Sequence, residues 1–298
     1  MLRHRGLTLI ELLVVIAVVA ILIALTLAGV QKVREAAARA KCQHHLRQSA
    51  LALQQHHDAH HAFPPGHRPP RIFQQLPLSG WPLAILPYLE QRAVADQAAA
   101  AYRAKWIPFA PNPHPGLSAV VPVFTCPSDG RVATAQVSRR TNTPAAFTSY
   151  LGVAGRSAFD GRDGLLYQAS RTNHADIADG SSNTLLLGER PPSADFQFGW
   201  WYAGTGQRLT GSADMVLGVR EPNLQPIATG SPCGPGNYPF LPATGLNDPC
   251  GMFHFWSPHS GGANFAFADG SVRLLTYSAD GIMPALATRA GGEVVEVP

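Results

Sequence analysis

The sequence predicts an α+β fold in which one long N-terminal α-helix, apolar in its first half, packs its second half on an antiparallel β-sheet domain with long loops. Three observations predict it. Nineteen residues, 12–30, carry no charge, and a helix-favouring composition continues beyond them to about Asp58. Past Pro115, short apolar and aromatic runs alternate with turn residues, as strands do. Asp269-Gly270 separates two such runs in the manner of a hairpin turn. With 298 residues, 46% of them apolar, the chain can bury a core, while 28 Gly and 26 Pro assign much of it to loops.

The first element begins with a basic six-residue stretch, Met1-Leu2-Arg3-His4-Arg5-Gly6, followed by Leu7-Thr8-Leu9-Ile10-Glu11. At about 1.5 Å per residue, a helix over 12–30 is roughly 29 Å long, the hydrocarbon thickness of a bilayer. Thr26 and Gly29 alone interrupt its Leu/Ile/Val/Ala composition, and a membrane helix tolerates both. A secretory signal places its cleavage site after the apolar core. Here the break in composition lies before it, so a cut after Gly6 leaves the whole apolar helix on the chain. Lys32, Arg34, Arg39, Lys41 and Arg47 outnumber Arg3 and Arg5, and a plain charge count would keep the C-terminal domain in the cytoplasm. That count weakens before a long domain, and these residues lie on a continuing helix rather than in a short loop.

The helix then serves as a spine. Leu46, Ala50, Leu53 and His57 recur at three- and four-residue spacing and form a stripe suited to packing on a sheet. Phe63-Pro64-Pro65-Gly66 stops it. The expected division is therefore 1–6, 7–30, 31–62 and a globular α+β domain over 63–298. Within that domain a helical piece is expected over about 83–106, and strands over 120–126, 147–153, 184–187, 198–202 and 215–219. The hairpin joins 263–268 to 271–276 with Phe265 and Phe267 facing Val272 and Leu274. A last short helix lies near 283–289.

The junction Gly6-Leu7-Thr8-Leu9-Ile10-Glu11-Leu12-Leu13 resembles the prepilin-type leader of type IV pilins and type II secretion pseudopilins. The resemblance implies that prepilin peptidase cleaves after Gly6 and methylates Leu7, where the family usually has phenylalanine. It implies a single-pass inner-membrane protein with an extracytoplasmic C-terminal domain. It also gives Glu11 an assembly role, neutralising the N-terminal amine of a neighbouring pilin-like subunit. A carboxylate near the bilayer is costly and needs such compensation; a helix-edge Glu snorkelling to headgroups is the plainer alternative.

Cys42, Cys126, Cys233 and Cys250 form no C-x-x-C pair, so neither a zinc ribbon nor a thioredoxin-like site is indicated. An even count in an exported domain points to pairing, with 233–250 first and 42–126 by default; unpaired buried thiols are the alternative. The formal charge is +4, and loss of Arg3 and Arg5 leaves 21 basic against 19 acidic side chains, too slight a balance for a nucleic-acid partner. No G-x-S-x-G elbow, phosphate loop or dinucleotide fingerprint occurs.

His259, nine residues and then Asp269-Gly270 form a signature. With Cys42 to Asp58, Phe63-Pro64-Pro65-Gly66, Phe124 to Asp129, Ser149 to Gly155, Asp179 to Thr184, Leu187-Gly188-Glu189 and Ala285 to Glu293, it makes the chain resemble a large bacterial family that joins a prepilin-type leader to an H-X9-DG signature. That family implies no reaction. The functional reading makes His259 and Asp269 metal ligands or a His–Asp pair. The plainer one, which we favour, gives Asp269-Gly270 to turn geometry and His259 to a backbone carbonyl.

Calcium enters by resemblance to the major type II pseudopilin, whose C-terminal loop binds it. Asp160, Asp163, Asp176 and Asp179 lie in suitable loops but match no EF-hand spacing. His44, His45, His56, His57, His60 and His61 lack the intervening glutamate of H-E-x-x-H and read as a solvated polar face. Gly199-Trp200-Trp201-Tyr202 reads as core rather than a sugar or partner site. The sequence thus predicts a non-enzymatic pseudopilin-like subunit without metal or cofactor. The rival is an anchored, exported binding module or enzyme that uses the leader for export alone.

Overall fold

A computed structural model describes residues 9–70, 76–109, 111–139, 141–160, 162–224, 232–293 and 295. The processing junction Gly6–Leu7 lies outside them. One helix, α1 (Leu9–His60), forms the long axis. It is followed by α2 (Trp81–Ile85) and α3 (Arg92–Ala104), then by β1 (Gln136–Val137), β2 (Pro144–Ala145), β3 (Tyr150–Gly155), β4 (Leu185–Glu189), β5 (Val216–Gly218), β6 (Glu221–Asn223), β7 (Gly236–Tyr238), β8 (Gly262–Phe267), β9 (Val272–Thr276) and α4 (Met283–Ala287). The α+β reading holds.

α1 ends where the sequence expects. His61 takes a left-handed φ of 55°, and Phe63, with its backbone N–H donated to Thr172 O at 2.8 Å, is buried ahead of the two prolines. Cys42, Leu46, Ala50 and Leu53 are fully buried at helical spacing. Each leucine withdrawn from water stabilises the fold by about 1.5–3 kcal/mol.

The central sheet runs β5-β3-β4-β8-β9. It is mixed, because β5 pairs parallel to β3 while every other neighbour is antiparallel. The antiparallel expectation fails at that edge, where the long stretch between β4 and β5 lets the chain return in the same direction. Alternation along the strands divides the core in two. Tyr150, Ala154, Ala266 and Ala268 share one cluster with the α1 stripe, whereas Leu151, Val153, Phe265, Phe267 and Leu275 pack on the opposite face with Met283 and Leu286 of α4. Small residues on β8 let α1 lie close across it, and α1 also touches β4 and β9.

Three expectations require correction. The 83–106 helix is broken, since Pro87 contributes no N–H and Glu90 adopts a φ of 59°, so a 3-10 turn separates α2 from α3. Residues 120–126 make a 3-10 turn over Pro122–Phe124 rather than a strand. Residues 198–202 contribute only the bridge Phe147↔Trp200, although Trp200, Trp201 and Tyr202 are core residues, as read.

The hairpin exists with a shifted register. Ala266 lies opposite Val272 and Phe265 opposite Arg273. Phe267 N–H donates to Ser271 O and Gly270 N–H to Phe267 O, both at 2.9 Å, so the loop holds three residues with Gly270 left-handed at φ 83°. A one-residue shift exchanges faces. Phe265 and Phe267 therefore share their side with Leu275, and the Arg273 guanidinium sits 4.5 Å over the Phe267 ring.

Candidate functional site

The first half of α1 makes no core of its own. Leu12, Val15, Ile16, Val19, Leu22 and Ile23 are all exposed, and among the described residues nothing covers the apolar stretch. Among the described residues, α1 is the one helix long and apolar enough to cross a membrane. Thr26 satisfies its hydroxyl within the helix by donating to Leu22 O at 2.9 Å, as a membrane segment requires. Glu11 lies in the first turn, where a negative charge also favours the helix N-terminus.

Both cysteine pairs are joined. Cys42–Cys126 fixes the second half of α1 to the segment ahead of β1, and Cys233–Cys250 closes the Pro/Gly/Asn-rich stretch, each with Cα atoms 5.4 Å apart.

Behind α1, the residues around His259 form a network. Its ring is completely buried, and Nδ1 lies 2.6 Å from Glu35 Oε1 on α1. Nε2 lies 3.5 Å from Cys126 Sγ and 3.8 Å from Glu189 Oε1 at the end of β4. Glu189 Oε2 accepts from the Asn264 backbone N–H at 2.7 Å and from its side-chain amide at 3.0 Å, while Gln43 of α1 donates to Asn264 Oδ1 at 2.9 Å. Burial holds the Glu189 carboxyl above its ordinary range, opposed by the Asn264 amides and by His259.

The expectation of a backbone carbonyl partner for His259 is thus corrected: its partner is a carboxylate 224 residues away. The chain brings it there because β8 starts three residues later and runs beneath α1. Asp269 does not join it. Its carboxylate caps the hairpin turn by accepting from Ser271 N–H at 2.8 Å. Sequence reading passed over Glu35, though it stands seven residues before Cys42 and so on the same helix face. Glu189 was visible as part of Leu187-Gly188-Glu189, without a role.

The four loop aspartates serve separate purposes. Asp163 pairs with Arg156 at 2.7 Å, Asp176 completes a capping box with Asn173, and Asp179 accepts from Gly291 and Gly292 N–H at 2.7 and 2.9 Å. Asp160 stands near buried Glu221 and raises its pKa slightly, after the dominant effect of burial. The spine histidines are not one solvated face. His45 is buried with Nδ1 2.8 Å from Thr125 O, and His56 packs 4.4 Å from His60 with its pKa lowered to about 4, first by burial and then by His60. His56, His60, Phe63, Arg68 and Arg171 line an open hollow of about 660 Å³ at the lower end of α1.

Comparison with known proteins agrees with both halves of this architecture. Residues 1–27 match the prokaryotic N-terminal methylation motif, the signal read by prepilin-type processing. No curated protein and no solved structure matches the chain. Residues 31–281, from the emergence of α1 to the approach to α4, match the family described as "Protein of unknown function (DUF1559)", and the chain belongs to that family.

Proposed function

We propose that the protein is a non-enzymatic, pseudopilin-like subunit of a type II secretion or type IV pilus-like envelope filament. The observation that carries this reading is the bare apolar half of α1. An apolar helical stretch that the other described residues leave uncovered, introduced by a methylation motif and preceded by a carboxylate in the first turn, suits packing in lipid and then against copies of itself.

In this reading, prepilin peptidase removes residues 1–6 and methylates Leu7. Residues 7–30 span the inner membrane once, residues 31–62 rise from it, and the domain over 63–298 lies outside the cytoplasm with its loops toward cargo or other pilin-like subunits. Glu11 neutralises the amine of a neighbouring Leu7 during assembly. Two disulfides, one of them buried, support the exported orientation, since such bonds persist in oxidising compartments. The test is Glu11→Ala in the full chain: leader removal continues and incorporation into filaments is lost. Filaments formed in normal yield by that variant would contradict the assembly role of Glu11, whereas unchanged activity of a soluble fragment lacking residues 1–30 would favour the anchored binding module or enzyme.

A further inference from the structure

Cys42 of α1, Cys126 of the segment ahead of β1, Glu189 of β4 and His259 ahead of β8 each present one ligand-type atom, and these atoms all lie within 4.8 Å of one another. All four residues are buried. A disulfide accounts for the two sulfurs but not for the approach of His259 Nε2 and Glu189 Oε1 to them.

Glu35 accepts at 2.6 Å from Nδ1 of His259, which fixes the proton there and turns the Nε2 lone pair inward, toward Cys126 Sγ and Glu189 Oε1. A carboxylate behind a histidine is the usual support for a metal-bound imidazole, since it sets the tautomer and raises ligand basicity. Glu189 Oε2 is held by Asn264, while Oε1 is buried and lies 3.8 Å from His259 Nε2. Two electron-rich atoms thus face the sulfurs from a shell that is itself hydrogen-bonded into place. Two thiolates, one imidazole nitrogen and one carboxylate oxygen make a closed donor set for a zinc-class cation, whose tetrahedral thiolates lie about 3.7 Å apart at Zn–S distances of about 2.3 Å.

We propose that the dithiol form of this protein binds one zinc-class divalent cation through Cys42, Cys126, His259 and Glu189, with Glu35 as the positioning residue behind His259. Binding to the two thiols releases two protons and changes no oxidation state. The chain carries these thiols when newly exported, so the metal form precedes the disulfide and needs no reductant. Formation of the disulfide from the bound dithiolate passes two electrons to a disulfide-bearing partner, which takes up two protons from water to become a dithiol, and the cation leaves. Either form ties α1 to the sheet at one point, and both sulfur-bearing residues are buried in the finished fold. The inference does not depend on filament assembly.

The test uses the full chain in detergent, reduced with a phosphine and titrated with Co²⁺ alone. One Co²⁺ per chain should give the thiolate charge-transfer and tetrahedral absorption bands, and Zn²⁺ should displace it. The bands should persist in Cys233→Ser/Cys250→Ser and vanish in His259→Ala and in Glu189→Gln, while Glu35→Gln should retain stoichiometry with affinity weakened about 10–100-fold. Zn²⁺ should also raise the melting temperature of the reduced chain. Bands that survive in His259→Ala, cobalt bound without thiolate bands, or a reduced chain whose folding and melting temperature zinc leaves unchanged would each overturn the proposal.

Discussion

Gly270 shows how much one residue decides. Its φ of 83° accompanies a three-residue hairpin loop, and that single extra residue puts Arg273 and Leu275, in place of Val272 and Leu274, on the side of Phe265 and Phe267. Asp-Gly announced the turn in the sequence, but loop length depends on backbone conformation that the residue types do not specify. A Cβ at this position would meet Leu51 Cδ2 at an ordinary 3.7 Å, so Gly270→Ala should cost only backbone strain, about 1–2 kcal/mol, read as a lower melting temperature with unchanged secondary structure. His67 carries a pH dependence. Its ring is wholly buried, Nε2 donates to Gly204 O at 2.8 Å, and burial lowers its pKa to about 4. The unfolded chain takes up this proton near pH 6.5, so stability from His67 is full above that value and is lost as pH falls toward 4. The loss is on the order of 3 kcal/mol. Melting temperature should fall over that window, and His67→Gln, which keeps a donor without titrating, should make the slope shallower.

Elements were legible in proportion to how locally they are determined. α1 could be read from its composition and stripe because a helix needs only its own neighbours, and β3, β4, β8 and β9 because their apolar runs are bounded by turns. The short apolar runs at 120–126 and 198–202, which the sequence presents as strands, form none. Pro122 removes a donor in the first, and in the second the aromatic rings serve the core without a partner strand. The Glu35–His259 contact was beyond reach, since nothing local ties residues 224 positions apart. Leu46→Ala, on the buried stripe, should destabilise the domain by about 2–5 kcal/mol in denaturant titration. Cys233→Ser/Cys250→Ser opens a loop with a sequence separation of 17 and should cost about 3 kcal/mol, against about 4–5 for the Cys42–Cys126 closure across 84. A smaller loss at the longer loop would mean that α1 is held on the sheet by packing alone.

The whole molecule joins a membrane-length rod to a domain that grips only the rod's second half. About 29 Å of uncharged helix, residues 12–30, is left uncovered by the other described residues, close to the thickness of a bilayer core and introduced by a methylation motif. Hydrophobicity argues for lipid; the order of leader and apolar run argues that the helix stays after processing. Intact-mass analysis of the protein purified from membranes tests this most directly. The account predicts a polypeptide that starts at Leu7, carries one added methyl group and retains every residue of the apolar helix. A mature chain that still starts at Met1, or one shortened to a point beyond Val30, would contradict it.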